Sequence, residues 1–190
     1  MEDTLVMNGN KIVPIEETVK EFNEFLSVTE RYYTPHFCVD VGGKKGEDQC
    51  ILFHSNRICL VTLAPSHPVL KNKKEINKID FQVSANVDRM KNKVSGKGKH
   101  GAQFLQPNSP LCFIECKDGS KFTVQSCIKG KLVEINDALI KNPKLLIDKH
   151  DAEGYIAIVL PNITNSDQQK EELLTLEQYQ DVLCKRTGSD

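Results

Sequence analysis

From residue 49 to residue 160 the chain is broken into short runs of isoleucine, valine, leucine and phenylalanine, separated by turn residues at intervals too short for helices. That spacing commits the stretch to strands, because a helix needs an apolar stripe sustained over ten or more residues. Strands are expected over 49–53, 57–63, 79–83, 111–116, 121–126, 131–135 and 155–160. His54-Ser55-Asn56 supplies a tight turn between the first two. Asp118-Gly119 is the stronger signal, since a type I′ hairpin turn needs positive φ at both central positions and Asp-Gly tolerates it. Residues 111–126 then form a β-hairpin with its tip between Lys117 and Lys121.

Helical patterning is confined to the flanks. Over 14–26, Pro14 stands near the first helical position, Glu16 and Glu17 occupy the first turn, and Ile15, Val19, Phe22 and Leu26 recur at helical spacing. Residues 31–48 read as irregular, punctuated by Pro35 and by Gly42-Gly43-Lys44-Lys45-Gly46. Asn136 is placed to cap a helix over 137–141, which Asn142-Pro143 terminates. Thr175 and Gln178 have capping-box spacing, and Leu176, Tyr179, Val182 and Leu183 form a stripe to face the sheet. The expected fold is β-dominated α+β, a flattened sandwich with peripheral helices. One domain covers 31–186, preceded by an N-terminal extension (1–30) holding a short helix and followed by a flexible tail (187–190). With no tryptophan and 6% aromatics, its core must be mostly aliphatic.

Basic and acidic residues nearly cancel, 25 against 26, so the whole chain exerts no long-range attraction on nucleic acid or anionic membranes. No stretch approaches the ~20 apolar residues of a membrane span, and residues 1–10 lack a charged segment followed by an apolar run, so no membrane insertion is expected. The seven cysteines then read as free thiols. Cys50, Cys59, Cys112, Cys116, Cys127 and Cys184 sit among apolar residues, as buried small hydrophobes do. Cys38 and Cys184, near irregular or terminal segments, are the ones expected to react. A metal site drawn from Cys50, His54 and Cys59 is imaginable, but a lone Cys-x3-His is weak, and no metal is expected.

Catalysis would need a nucleophile with its base, paired carboxylates or a metal cluster in a recognisable pattern, and none is present. His54, His67, His100 and His150 read as surface or hydrogen-bonded residues. Gly96-Lys97-Gly98-Lys99 has the look of a phosphate loop without the Walker spacing. The chief local concentration of charge is residues 91–100, with four lysines and no acid. Lys91, Lys93, Lys97, Lys99 and His100 form either a solvated loop or a docking patch for an acidic partner, which Arg57 and Arg89 extend if the fold brings them near. Phe104 is the nearest ring, so stacking on single-stranded nucleic acid is not supported.

Residues 130–143, where Gly130 opens a strand, Glu134-Ile135-Asn136 leads into a short helix and Asn142-Pro143 ends it, resemble the glycine-cleavage H protein. The match continues through Asp151, Gly154, Tyr155 and Ile158 to Leu176 and Tyr179. That resemblance implies the single hybrid motif of biotinyl and lipoyl domains. It also implies that the lipoate-bearing position falls on Gly119, flanked but not occupied by Lys117 and Lys121, so no cofactor is expected. Three longer runs, 54–70, 93–105 and 154–161, resemble the Abitram (Simiate) family. That family implies a non-enzymatic actin-binding protein regulating actin polymerisation and cell-projection dynamics, in lamellipodia and growth cones, together with transcription. It implies residence in the nucleus, including speckles, and in the cytoplasm. The alternatives left open are a nucleic-acid-associated nuclear module and a lipoyl-type carrier.

Overall fold

In the computed structural model, which describes residues 27–162 and 166–188 and the backbone of Val6, Met7, Asn10 and Lys11, the most apolar runs of the chain lie side by side. The helix expected over 14–26 lies outside the described residues. The chain divides into two units, 1–31 and 32–190. In the first, Val6–Met7 (β1) and Asn10–Lys11 (β2) pair antiparallel. Ser27 and Glu30 exchange backbone-to-side-chain hydrogen bonds at 2.8 and 3.2 Å, a reciprocal cap opening the helix Val28–Tyr32 (α1).

In the second unit the strands are Tyr33–Cys38 (β3), Gln49–His54 (β4), Cys59–Leu63 (β5), Ile76–Asp80 (β6), Gln82–Ser84 (β7), Val87–Asp88 (β8) and Phe104–Leu105 (β9). Pro110–Cys116 (β10), Lys121–Gln125 (β11), Gly130–Ile135 (β12) and Ala157–Pro161 (β13) follow. The helices are Pro68–Lys71 (α2), Ala138–Lys141 (α3), Leu145–Asp148 (α4), Ser166–Glu171 (α5) and Leu176–Thr187 (α6). A six-stranded sheet runs β3-β4-β5-β13-β12-β9, and a three-stranded sheet runs β11-β10-β6. All their pairings are antiparallel.

The main core lies between these sheets. Ile51, Phe53, Cys59, Val61, Leu63, Leu132 and Val159 from one pack with Ile79, Leu111, Cys112, Ile114, Phe122 and Val124 from the other. A second, smaller cluster contains Phe37, Cys50, Leu52, Leu60 and Tyr179. β4 and β5 are therefore buried on both faces, which is why they read as unbroken apolar runs instead of alternating ones. The Tyr179 ring of α6 stacks on Phe37, with centroids 4.1 Å apart. Such a pair contributes about 0.5–1.5 kcal/mol beyond its buried area.

Several expectations need correction. The stretch expected to be irregular contains β3, a full strand. Its Pro35 is tolerated because β3 is an edge, where a missing N–H breaks no ladder. Leu174 covers that edge through two backbone hydrogen bonds with Phe37. The strand expected over 79–83 is two strands, β6 and β7, broken at Phe81. Asn136 caps no helix; it is buried, and its Nδ2 donates to the carbonyls of Glu153 and Tyr155. The 118–119 turn is not type I′: Gly119 has φ +84°, but Asp118 is not among the positive-φ residues. Its Gly119 N–H donates to the Cys116 carbonyl and the Cys116 N–H to the Ser120 carbonyl, a three-residue loop closed by a left-handed glycine. In α6 the capping box forms as expected. Leu176 is exposed, however, and leaves the buried stripe to Tyr179 and Leu183. Thr187 still belongs to that helix and is not part of a loose tail.

Candidate functional site

The basic segment 91–100 hangs from a buried polar pin. The Asp88 carboxylate accepts the Met90 N–H at 2.9 Å and starts a 3-10 turn over Arg89–Lys91. This turn sends the Arg89 guanidinium inward. There Nε and Nη2 donate to the Pro110 carbonyl at 3.0 and 2.8 Å, and Nη1 donates to Gln103 Oε1 at 2.7 Å. Asn92 accepts the Gln103 N–H at 2.8 Å and donates to the Leu132 carbonyl at 2.7 Å, which fastens the segment to β12. Between these anchors Ser95 and His100 exchange two backbone hydrogen bonds, closing a turn over Gly96, Lys97, Gly98 and Lys99. The segment leads into strand β9 and not into a helix, so it has no phosphate-loop geometry. Gly101, at φ +79°, lies against the Lys93 carbonyl, where a Cβ would come within 2.7 Å.

The result is a rigidly mounted turn with its charges outside. Lys91 is 81% exposed and stands 3.6 Å from Asp88. Among the described residues, Lys93, Lys97 and Lys99 have no carboxylate within 4.0 Å. Lys131 of β12 reaches over to donate to the Gly98 carbonyl at 2.7 Å. Beside it the Phe104 ring is 47% exposed, with Lys129 Nζ 5.9 Å from its centroid. An open hollow of about 430 Å³ lies next to Phe104, lined also by Val87, Arg89, Lys91 and Gln103. Met90, 41% exposed, borders the neighbouring hollow.

Two of the residues expected to extend this patch do not. Arg89 is 7% exposed, and its guanidinium is tied up by carbonyl oxygens, so it positions the loop without presenting charge. Arg57 is exposed but stands in the β4–β5 turn at φ +75°, on the far side of β13 and β12. At about 4.8 Å per strand, that separates it from the loop by roughly 10–15 Å. Lys129, Lys131 and Phe104 were not legible as members, because β9 is two residues long and its pairing with β12 leaves no local pattern.

At the 116–121 hairpin each lysine meets an acid. Lys117 pairs with Glu75, Lys74 with Asp118, and Lys121 with Glu115 at 2.7 Å.

Asp48 and His67 are titratable groups closed into the fold. Asp48 is fully buried and takes Arg186 at 2.6 and 3.2 Å, Ser66 at 2.8 Å and Tyr179 at 3.2 Å. Burial opposes its ionisation, but the hydrogen bonds from Arg186, the Asp40 N–H and Ser66 outweigh that and hold its pKa below the usual carboxylate value. Arg186 also reaches Asp40 at 2.8 Å, so one guanidinium clamps α6 onto two acids. His67 is buried and hydrogen-bonded, the second of the two settings expected for it. Its Nδ1 accepts the Val69 N–H, and burial lowers its pKa to about 4. Cys50 and Cys59 belong to opposite faces of the six-stranded sheet, so they do not converge with His54. Cys184 is exposed and not buried.

A model of the glycine cleavage H-protein family matches residues 85–186, from the turn before β8 to the last turn of α6. The strand-dominated sandwich is accordingly of the H-protein, single-hybrid-motif kind. Protein Abitram of Xenopus tropicalis is 49% identical over 172 residues, covering 90% of this chain and 94% of that protein. Protein Abitram of Homo sapiens is 51% identical over 163 residues, covering 86% and 90%. A crystal structure of a glycine cleavage system H protein from Mycobacterium marinum covers 69% of this chain and 87% of its own, at 13% identity and a TM-score of 0.48, a likeness too loose to argue from.

Proposed function

Because this chain belongs to the Abitram family, we propose that it is a non-enzymatic actin-binding protein that regulates actin polymerisation and cell-projection dynamics. We propose further that it acts in transcription regulation and resides in both nucleus and cytoplasm. The observation that carries the binding reading is the turn over 93–100: its lysines lack acidic partners among the described residues, and it is fixed at both ends by Arg89, Asn92 and Gln103. Basic side chains on a mounted turn meet an acidic surface without a large ordering cost, and they accelerate encounter. Phe104 beside them offers an apolar contact within the charged rim, the arrangement of a protein-docking patch.

The absence of catalysis in this reading rests on where the reactive groups lie. Asp48, Ser66 and Tyr179 are joined in one closed network under Arg186, and the tip lysines of the 116–121 hairpin are held by carboxylates. The test is co-sedimentation of the full chain with actin filaments, in parallel with titrations against duplex DNA and RNA. Actin binding that weakens as salt shortens the Debye length below about 10 Å supports the proposal. A chain that ignores actin but holds nucleic acid with a steep salt slope is instead a nucleic-acid module.

A further inference from the structure

The open hollow beside the basic turn, about 430 Å³, is walled in part by the β7–β8 hairpin, through Ala85 and Val87, and in part by the half-exposed Phe104 ring. The hairpin is braced. The Arg89 N–H donates to the Phe81 carbonyl at 3.0 Å at its base, and the Val87 N–H donates to Ser84 Oγ at 3.1 Å near its turn. Arg89 and Gln103 also line the hollow, but their polar atoms are already engaged. Arg89 is held by Pro110 and Gln103, and Gln103 Nε2 donates to the Asp88 carbonyl at 2.8 Å. The Asp88 carboxylate, which lines it too, accepts the Met90 N–H and stands 3.6 Å from Lys91. The hollow is therefore preformed. It offers little to a polar group, and apolar contact through Ala85, Val87 and Phe104. Around it stand Lys91 and, on the Phe104 ring, Lys129, with Lys131 next in the patch. Among the described residues, Lys129 and Lys131 have no carboxylate within 4.0 Å.

We infer that this hollow is the socket for one bulky apolar side chain of an acidic peptide segment, whose flanking carboxylates meet Lys91 and Lys129. The inference rests on the reading of this face as a docking surface for an acidic partner, and it adds what that partner carries at the centre of its contact. Charge alone steers encounter and is screened by salt, whereas an apolar anchor seated in a pocket and ringed by polar contacts holds the complex together. The braced walls mean that little ordering cost is paid when the anchor enters. A free small molecule needs most of its surface enclosed, so an open hollow suits a side chain already carried on a partner's backbone. Single-stranded nucleic acid stacks successive bases on several rings, and Phe104 is the one ring lining the hollow among the described residues, so the arrangement favours a peptide.

The test is fluorescence anisotropy of the full chain with two labelled peptides of mixed aspartate and glutamate, one with a central phenylalanine and the other with serine in its place. The phenylalanine peptide should bind about tenfold more tightly. Added salt should weaken both peptides and leave their ratio nearly unchanged, because the anchor is not a charge. Phe104→Ala should bring the ratio below about twofold and leave the serine peptide as it was. Should that variant not fold, Ala85→Glu, on the exposed hairpin turn, sets a charge in the other wall and should do the same. Equal binding of the two peptides to the wild type leaves the acidic docking surface standing and overturns the socket. A phenylalanine preference untouched by both variants overturns it as well, and so does an oligothymidylate that binds more tightly than either peptide and depends on Phe104. If neither peptide binds, the docking reading fails and the socket with it. If the phenylalanine peptide binds as expected while actin filaments do not, the socket stands and actin is not its partner.

Discussion

The molecule has two lysine-bearing turns that look alike in sequence and differ in what surrounds their charges. At 116–121, Lys117 and Lys121 are matched by Glu75 and Glu115, and Asp118 by Lys74, so the tip is close to neutral in its own surroundings. At 93–100 the lysines have no acid beside them among the described residues, and Arg89 nearby is turned inward to hold the turn in place. A basic sequence becomes a basic surface only where the fold withholds the partner. The Asp48–Arg186 clamp is the extreme of the first kind, with both charges matched and the acid removed from water.

The largest effect should follow from breaking that extreme. Asp48→Ala leaves Arg186 with only Asp40 and strips acceptors from Ser66 and Tyr179, and the loss of a buried ion-pair partner costs about 3–5 kcal/mol. Urea unfolding should show it as a lower midpoint at unchanged slope. The pH dependence has a definite sign. Asp48 ionises below its ordinary 3.8 in the folded chain, so its contribution is complete above the unfolded value and is lost as pH falls through the folded one. Asp48→Asn should remove that part of the acid limb, and an unchanged acid limb would place the stabilisation elsewhere.

Arg89 sharpens the comparison, because its sequence position suggests the charged patch and its contacts place it with the matched charges. Arg89→Ala should cost about 2–3 kcal/mol by the loss of charged hydrogen bonds to Pro110 and Gln103. Lys93→Ala, exposed on the same segment, should stay within about 0.5 kcal/mol. Equal effects of the two would mean that Arg89 is as superficial as the lysines.

How much of this could be read beforehand follows from how local each signal is. β4, β5 and β10 announce themselves in their own apolar residues, and β11 in the alternation of Phe122 and Val124 with polar ones. The capping box of α6 needs only Thr175 and Gln178. β3 hides behind Pro35 and the polar Thr34 and His36, acceptable only because the strand is an edge, which is a property of the sheet. The clamp joins residues 138 positions apart, and nothing near Asp48 signals Arg186. The lysines of the site were legible as composition. Their lack of acidic partners, and the company of Lys131 and Phe104, depend on how β9 meets β12.

The smallest effect belongs to the matched turn. Glu75→Gln frees Lys117 from an exposed pair and should change stability by less than about 1 kcal/mol in a urea titration. The same turn tests the carrier alternative: protein from a lipoate-competent host should keep its sequence mass, and a lipoyl increment on Lys117 or Lys121 would restore that reading.

The central claim, that the unmatched turn is the actin-docking surface, is tested most directly by charge reversal on both turns in the same co-sedimentation assay. Lys91→Glu, Lys93→Glu, Lys97→Glu and Lys99→Glu together should fold with the wild-type melting temperature and weaken filament binding by about tenfold or more. Lys117→Glu with Lys121→Glu should leave binding within about twofold, since those charges are already engaged by acids. A folded quadruple variant that binds filaments as the wild type does, or a double variant that loses as much as the quadruple, would contradict the account.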